Sequence, residues 1–280
     1  MPDSRPIGVF DSGVGGLTVA RAVFDLLPFE PIVYVGDSAR APYGPRPLQD
    51  IRTFALEIAD YLLSRDVKML VVACNAIEVA AIRDVTDAAV LPVVGVIDPG
   101  ARAAVRATRN GRIGVIGTVA TISSGAYDRA VATTGASVDL FSRPCPAFVD
   151  HVEAGDTSSE ELLGAARKYL SPLRDQRVDT LILGCTHYPM LSGLIQMVMG
   201  EDVVLVSSAD ETAKDVYATL RSLDLLMGTR AEPRHEFLCT GDPEQFRSVA
   251  HHFLGPGVGK IDAHNDSVLL CCFRDCRNVE

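Results

Sequence analysis

The feature that most restricts how this chain can fold is a set of short apolar runs that recurs, in the same order, about 110 residues further along. Candidate strands fall at 7–10, 32–35, 69–73 and 93–97, then at 113–117, 137–141, 180–184 and 203–206. Ile7-Gly8-Val9 reappears as Ile113-Gly114-Val115, an offset of 106 residues (113 − 7), and 32–35 meets 138–141 at the same offset. Cys74 maps onto Cys185 at 111 (185 − 74), and Val93-Val94 onto Val203-Val204 at 110. Strands kept in order at near-constant spacing read as an internal duplication. Two unrelated units of similar size would space their strands comparably; the matching polar residues at the strand ends favour duplication. Stretches with helical spacing lie between the strands, among them Thr18 to Leu27, Leu48 to Leu63 and Glu160 to Leu170. Strands alternating with helices predict parallel sheets covered on both faces.

The expected fold class is therefore α/β: two pseudo-symmetric, doubly wound α/β domains with mainly parallel sheets and a site in the cleft between them. The 280 residues suffice for two such units. Residues 1–97 with 208–265 form the first and 98–207 the second. Residues 98–108 read as a connecting helix and Glu211 to Leu226 as a second long one. The stretch from roughly 230 to 265 is too short to fold alone and is assigned to the first unit. Residues 266–280 carry Cys271, Cys272 and Cys276 without a histidine cluster at zinc spacing, and read as a disordered tail with no metal site.

A net charge of −10 argues against a nucleic-acid surface, and leaves any small anionic ligand to be held by local dipoles against the overall field. No apolar stretch approaches the roughly 18 residues of a membrane span. The N-terminus lacks a basic segment followed by a long apolar one, and Asp11 interrupts the first hydrophobic run, so no secretory signal is expected. The seven cysteines, odd in number and mostly within apolar sequence, read as reduced thiols of a cytoplasmic protein.

Chemistry concentrates where strands end. The first strand runs into Asp11-Ser12-Gly13-Val14-Gly15-Gly16, a glycine-rich turn whose amides could cradle an anion, or a tight turn in which Asp11 or Ser12 caps the next helix. Gly36-Asp37-Ser38-Ala39-Arg40-Ala41-Pro42-Tyr43-Gly44 follows the second strand as either a surface loop or a clamp with an aromatic wall. Leu70-Val71-Val72-Ala73 leads into Cys74-Asn75, and Leu181-Ile182-Leu183-Gly184 into Cys185-Thr186-His187. Each buried strand thus delivers a thiol to the carboxyl edge of a sheet, where open α/β folds bind ligands. A cysteine of ordinary pKa is only about 3% thiolate at pH 7, and a helix N-terminus raises that fraction. His187, two residues from a thiol, can hydrogen-bond it or exchange a proton with it.

A disulfide relay would favour Cys-x-x-Cys, which is absent. A single nucleophile needs only one cysteine. Two acid/base groups on opposite faces of one small molecule fit a reaction in which one removes a proton and the other supplies it from behind. At the α-carbon of an amino acid this inverts the stereocentre. With no lysine in a pyridoxal-type setting, the chemistry reads as cofactor-free.

The segment from Ile7 to Val19 resembles the opening of bacterial glutamate racemases, of the aspartate/glutamate racemase superfamily. Tyr34 to Gly44, Pro146 to Gly155 and Leu183 to Pro189 are similar to the same family, the likeness runs from about residue 6 to 257, and its flavour is actinobacterial. The resemblance implies cofactor-independent interconversion of L- and D-glutamate, supplying D-glutamate for peptidoglycan. It implies that Cys74 takes the proton from D-glutamate and Cys185 from L-glutamate, with Asp11, Glu153 and His187 tuning or assisting them. Substrate contacts would fall on Asp11, Ser12, Tyr43, Gly44, Asn75, Thr186 and His187, and on position 76. Asp11, Cys74 and His187 are expected on one side of the cleft, with Glu153 and Cys185 toward the other. The resemblance also implies a homodimer.

One departure stands out. The family reads Cys-Asn-Thr or Cys-Asn-Ser where this chain has Cys74-Asn75-Ala76-Ile77-Glu78. Ala76 lacks a hydroxyl whose hydrogen bond to a charged group is worth about 1.5–3 kcal/mol, or roughly 10- to 150-fold in binding or turnover. Glu78 lies one helical turn beyond Cys74. Turned inward, it would repel a dicarboxylate and raise the thiol's pKa; turned outward, it would do nothing. Two rival functions follow: a weakened racemase fold kept as a binding or regulatory protein, with DNA gyrase as a partner, and a racemase for another acidic substrate, aspartate being nearest.

Overall fold

The computed structural model describes residues 3–228, 233–254 and 263–265. The tail from 266, with its three cysteines, lies outside the described residues. In chain order the elements are β1 (Ile7–Asp11), α1 (Leu17–Leu26), β2 (Ile32–Gly36), α2 (Leu48–Ser64), β3 (Met69–Val72), α3 (Asn75–Ala88), β4 (Val93–Val94) and α4 (Ile97–Ala107). Then come β5 (Arg112–Gly117), α5 (Val119–Ser123), α6 (Ala126–Thr133), β6 (Asp139–Pro144), α7 (Ala147–Glu153), α8 (Glu160–Asp175), β7 (Thr180–Gly184), α9 (Ser192–Met199), β8 (Val204–Ser207) and α10 (Ser208–Ser222). β9 (Glu236–Cys239), α11 (Pro243–Leu254) and β10 (Ala263–Asn265) complete the described chain.

The strands make two parallel sheets, ordered β10-β9-β2-β1-β3-β4 and β6-β5-β7-β8. The order β2-β1-β3-β4 of the first recurs as β6-β5-β7-β8 in the second. The registers sharpen the repeat: Ile7 pairs with Ile32 and Met69, while Ile113 pairs with Leu140 and Thr180. The second strand of each set is thus offset by 108 (140 − 32), two more than expected. A shift of two keeps every side chain on its own face, so the core pattern survives it.

Central strands are buried on both faces and read as unbroken apolar runs, as parallel sheets require. Edge strands β6 and β8 are partly exposed. One apolar cluster joins Ile7, Val9 and Tyr34 of the first sheet to Ile113, Val115 and Ile182 of the second, so the core is continuous between them. The opposite face of the first sheet, with Phe10, Val35 and Val72, packs under α2 and α3 through Ile51, Ile58, Ile77 and Val85.

Two expectations need correction. The strand expected at 93–97 stops at Val94, because Val96 and Ile97 already donate their N–H groups to a buried carboxylate and start α4. Strands β9 and β10 were not foreseen; they extend the first sheet beyond β2.

The chain leaves the first sheet through α4 and returns through α10, and the two helices pack on each other. The return is pinned by a buried ion pair. Lys68 Nζ lies 2.6 Å from Glu30 Oε2 and donates to the Leu225 carbonyl at 2.9 Å, while Met227 N–H donates to Glu30 Oε1 at 2.7 Å. Removing one partner of such a pair strands a buried charge. Lys68→Met is expected to cost about 3–5 kcal/mol in urea unfolding.

Candidate active site

In both sheets the first and third strands of the set lie side by side, while the chain leaves the first strand toward the opposite neighbour. This is the switch point at whose carboxyl end α/β sheets bind ligands. In the first sheet the residues following those strands are Ser12 (after β1) and, one residue beyond Ala73, Cys74 (after β3). In the second they are Thr118 (after β5) and Cys185 (after β7). The two edges face each other across one cavity. Cys74, Asn75 and Ala76 wall it from one side, and Cys185, Thr186 and His187 from the other, with Ser12, Tyr43, Gly44 and Glu153 completing the lining. Its volume is about 20 Å³, measured at the centre of a water-sized sphere, which is room for about one water.

Asp11 lies behind the wall, fully buried. Its Oδ1 accepts from Gly13 N–H at 2.8 Å and its Oδ2 from the Thr186 hydroxyl at 3.3 Å, so it shapes the glycine turn and reaches across to the second sheet's loop. The alternative of a helix cap does not hold: α1 begins at Leu17, and Gly16 at the cap position before it has no side-chain cap. Gly15 is required by close approach, since a Cβ there would overlap the Thr186 hydroxyl and lie 2.7 Å from His187 Nδ1.

The second loop is tied down through Asp37 and turns Tyr43 inward. Tyr43 is buried, and its hydroxyl donates to Asp37. Asp37 also takes Arg40 Nε at 2.6 Å and the Thr240 hydroxyl at 2.6 Å, tying the loop to the end of β9. Gly44 abuts Thr118 of the other sheet.

The two thiols have different settings. Cys74 sits at the start of α3, and its Sγ donates to Ser12 Oγ at 3.6 Å. Burial pushes this thiol well above the ordinary cysteine range, and the neighbouring Asp11 charge adds to that; the Ile77 N–H and Ser12 pull the other way. Burial likewise raises the Asp11 carboxyl, opposed by the charge of His187 and by the Gly13 and Gly16 amides. Cys185 Sγ lies 3.8 Å from His187 Nδ1, and His187 Nε2 lies 2.7 Å from Glu153 Oε1. Burial alone would lower the imidazole's pKa; the hydrogen bonds to Cys185 and Glu153 outweigh it and push it up to about 10. Glu153 is 36% exposed, so the relay from sulfur through imidazole ends at solvent.

His187, expected beside Asp11 and Cys74, therefore stands with Cys185 and Glu153. The reason is local: it is two residues past the thiol on the same turn, and Glu153 at the end of α7 meets its far nitrogen. Glu78 takes neither of its two expected positions. It is buried away from the cavity lining, with its carboxylate on the amides that open α4. Pro42, Thr118 and Val149 line the cavity without having been anticipated. Thr118 was within reach of the repeat, being Ser12 advanced by the same 106 residues.

Asn75 Nδ2 donates to Tyr127 of α6 at 2.9 Å, and its buried Oδ1 has no hydrogen-bond partner among the described residues. The described cysteines, 74, 145, 185 and 239, are all free and buried. Among the described residues no group of three or more His, Cys, Asp or Glu side chains could hold a metal, and no helix is long and apolar enough to cross a membrane.

A sulfur, an imidazole and a carboxylate stand in line beside a cavity walled by a second sulfur, a set of groups suited to proton transfer. The Asp/Glu/Hydantoin racemase family matches residues 7–216. A glutamate racemase of Beutenbergia cavernae is 56% identical over 268 residues, covering 91% of each chain. One of Corynebacterium diphtheriae is 50% identical over 260 residues, covering 93% of this chain and 98% of its own. Among solved structures, glutamate racemase isoform RacE1 from Bacillus anthracis superposes with a TM-score of 0.88 at 41% identity, over 93% of this chain and 97% of its own. Glutamate racemase from Francisella tularensis in complex with D-glutamate gives 0.87 at 37%, over 95% and 99%. The chain belongs to the Asp/Glu/Hydantoin racemase family.

The raised His187 pKa has a signed consequence for stability. The folded value of about 10 exceeds the unfolded one of about 6.5, so the stabilisation is complete below about pH 6.5 and is lost as pH rises through 10. The stability gap between wild type and His187→Gln, measured by urea unfolding, is expected to be largest near pH 6 and to close by pH 10.

Proposed function

We propose that this chain interconverts L- and D-glutamate without a cofactor, by moving the α-proton between Cys74 and Cys185, and that the D-glutamate supplies peptidoglycan assembly in the cytoplasm. The observation that carries the reading is the placement of one thiol from each sheet on opposite walls of a single cavity. Similarity to glutamate racemases over nine-tenths of the chain supports the substrate.

The chain's own groups supply the steps. The cavity holds about one water, so substrate enters as the two units, 1–97 with 208–265 and 98–207, move apart and is gripped as they close. The α3 N-terminus, walled by Asn75 and Ala76, directs amides and the positive end of a helix dipole at a carboxylate. That offsets locally the repulsion of a chain of net charge −10. Asn75 Oδ1, buried and without a hydrogen-bond partner among the described residues, is an acceptor for the substrate ammonium.

With L-glutamate bound, Cys185 removes the α-proton and Cys74 returns one from the opposite face; D-glutamate reverses the roles. The resting site is biased toward the first direction. Cys74 is held as a thiol by burial and the Asp11 charge, ready to give a proton. The His187 imidazolium offers a donor to the Cys185 sulfur while Glu153 balances its charge.

Cys74→Ser and Cys185→Ser are each expected to abolish net racemisation followed by circular dichroism. In deuterated solvent, α-proton wash-in is expected to suffer most from D-glutamate for Cys74→Ser and from L-glutamate for Cys185→Ser. Full racemisation by either variant defeats the two-thiol scheme. Ala76→Ser, which restores a hydroxyl at the mouth of α3, is expected to raise kcat/KM on glutamate roughly 10- to 150-fold, with turnover of aspartate measured alongside.

A further inference from the structure

We propose that Glu78 is a positioning residue for the proton transfer: its carboxylate ties α3, the helix that begins at Cys74, to the first turn of the crossover helix α4, and so sets how the two thiols close on the substrate. This rests on the two-thiol reading above. Glu78 lies one turn into α3, and its own N–H donates to the Cys74 carbonyl at 2.9 Å. Its Oε2 accepts from Val96 N–H at 2.5 Å and Ile97 N–H at 3.0 Å. Helix α4 has no side-chain cap from its own Val96, so its first amides and the positive end of its dipole are met by a carboxylate from another helix. Gly95 makes room, since any Cβ there would overlap the Glu78 carboxylate.

The tie matters because of what α4 touches. It packs on β7, the strand that ends just before Cys185, and on α10, the other crossover. A continuous path therefore runs from Cys74 through α3, Glu78, α4 and β7 to Cys185. Asn75 and Tyr127 form a second link between α3 and α6, and α6 packs on α4. Outside this joint lies a cavity of about 660 Å³, lined by Glu78 with Arg83, Asp98, Arg129 and Ala130. With open space on that side, α3 and α4 are held together there by the carboxylate more than by packing.

The charge on the tie is adjustable. Burial pushes the Glu78 carboxyl up to about 7, against the pull of the Val96 and Ile97 amides, and Asp98 on α4 pushes the same way. Tyr127 on α6 faces it as well, and Arg83 on α3 and Arg129 on α6 border the same cavity. Because the folded value exceeds the unfolded one, this carboxyl's contribution to global stability is lost as pH rises through 7. Ionisation meanwhile strengthens the two N–H bonds of the joint. Stability and closure should thus respond to pH in opposite directions, which a merely structural carboxylate would not produce.

Full-length wild type, Glu78→Gln and Glu78→Ala can be compared for kcat and KM on glutamate from pH 6 to 9. In parallel, iodoacetamide labelling of Cys74 and Cys185 without substrate is read by mass spectrometry, with Cys145 as the reference for general loosening. Glu78→Ala is expected to lower kcat roughly 10- to 100-fold, as misplacement of reacting groups by about 1 Å does. Labelling of Cys74 and Cys185 should rise severalfold while Cys145 stays constant. Glu78→Gln, which keeps an acceptor, should recover part of kcat, lose the wild-type step near pH 7, and unfold no earlier than wild type at pH 8. Unchanged kcat and labelling in both variants, or a rise in labelling at Cys145 to match, would overturn the proposal. If Glu78→Ala does not fold, Glu78→Gln decides alone through the pH step and the labelling. A wild type that turns over no glutamate would sink the reaction reading, while the labelling comparison would still test the joint.

Discussion

A thiol at the end of a buried parallel strand has almost no positional freedom, and the site depends on that rigidity twice over. Ladder partners on both sides fix where β3 and β7 stop; Cys185 comes directly after its strand and Cys74 one residue later, beyond Ala73. What remains free is the relation between the two sheets. Among the described residues, the contacts near the cavity that span them include the hydrogen bonds from Thr186 to Asp11 and from Asn75 to Tyr127, and the close passage of Gly15 under His187. Each involves a residue within one or two positions of a thiol or on the glycine turn. The geometry of the cavity is therefore a property of the closed pair, and each half alone supplies only one of its two sulfurs.

Much of this was legible in the sequence because it follows from strand periodicity. A buried parallel strand must be an apolar run, and a chain built twice must repeat its runs. The strands that carry Cys74 and Cys185 announced themselves, and the offset of 106 even contained Thr118. What stayed hidden depends on where side chains go after a turn. His187 could have leaned toward either sulfur; only the position of Glu153, 34 residues earlier at the end of α7, decides it. Glu78 is the sharper case. Helical spacing put it on the same face as Cys74, which is true of its Cα, but a two-carbon stem beside Gly95 let the carboxylate reach the amides of another helix. The short strand β9 was obscure for a different reason: Glu236-Phe237-Leu238-Cys239 is four residues long, and only its pairing with β2 makes it a strand.

The family resemblance and the geometry contribute different things. Residues resembling a known family name a substrate and a reaction, and relatives covering most of the chain support them. The geometry shows what this chain's own residues do. Ala76 faces the cavity without a hydroxyl, and two positions on, a buried acid holds one helix on another. Both residues fall within the first turn of α3, the turn that presents Cys74. Under the reaction proposed above, substrate grip at this turn falls to backbone amides whose direction depends on how α3 is held.

The scaffold is symmetric in strand order while the chemistry must not be. The two-thiol reaction proposed above needs one sulfur protonated and the other not, and two identical environments would give no preference for which. Here the asymmetry comes from residues that break the repeat. The first half places an acid, Asp11, at the end of β1, where the second half has Gly117; the second half places His187 after its thiol, where the corresponding stretch after Cys74 is the start of helix α3. A negative neighbour holds a proton on one sulfur, and a positively charged hydrogen-bond donor stands beside the other. Duplication thus positions the two sulfurs, and divergence at the residues beside them makes their electrostatic surroundings unlike.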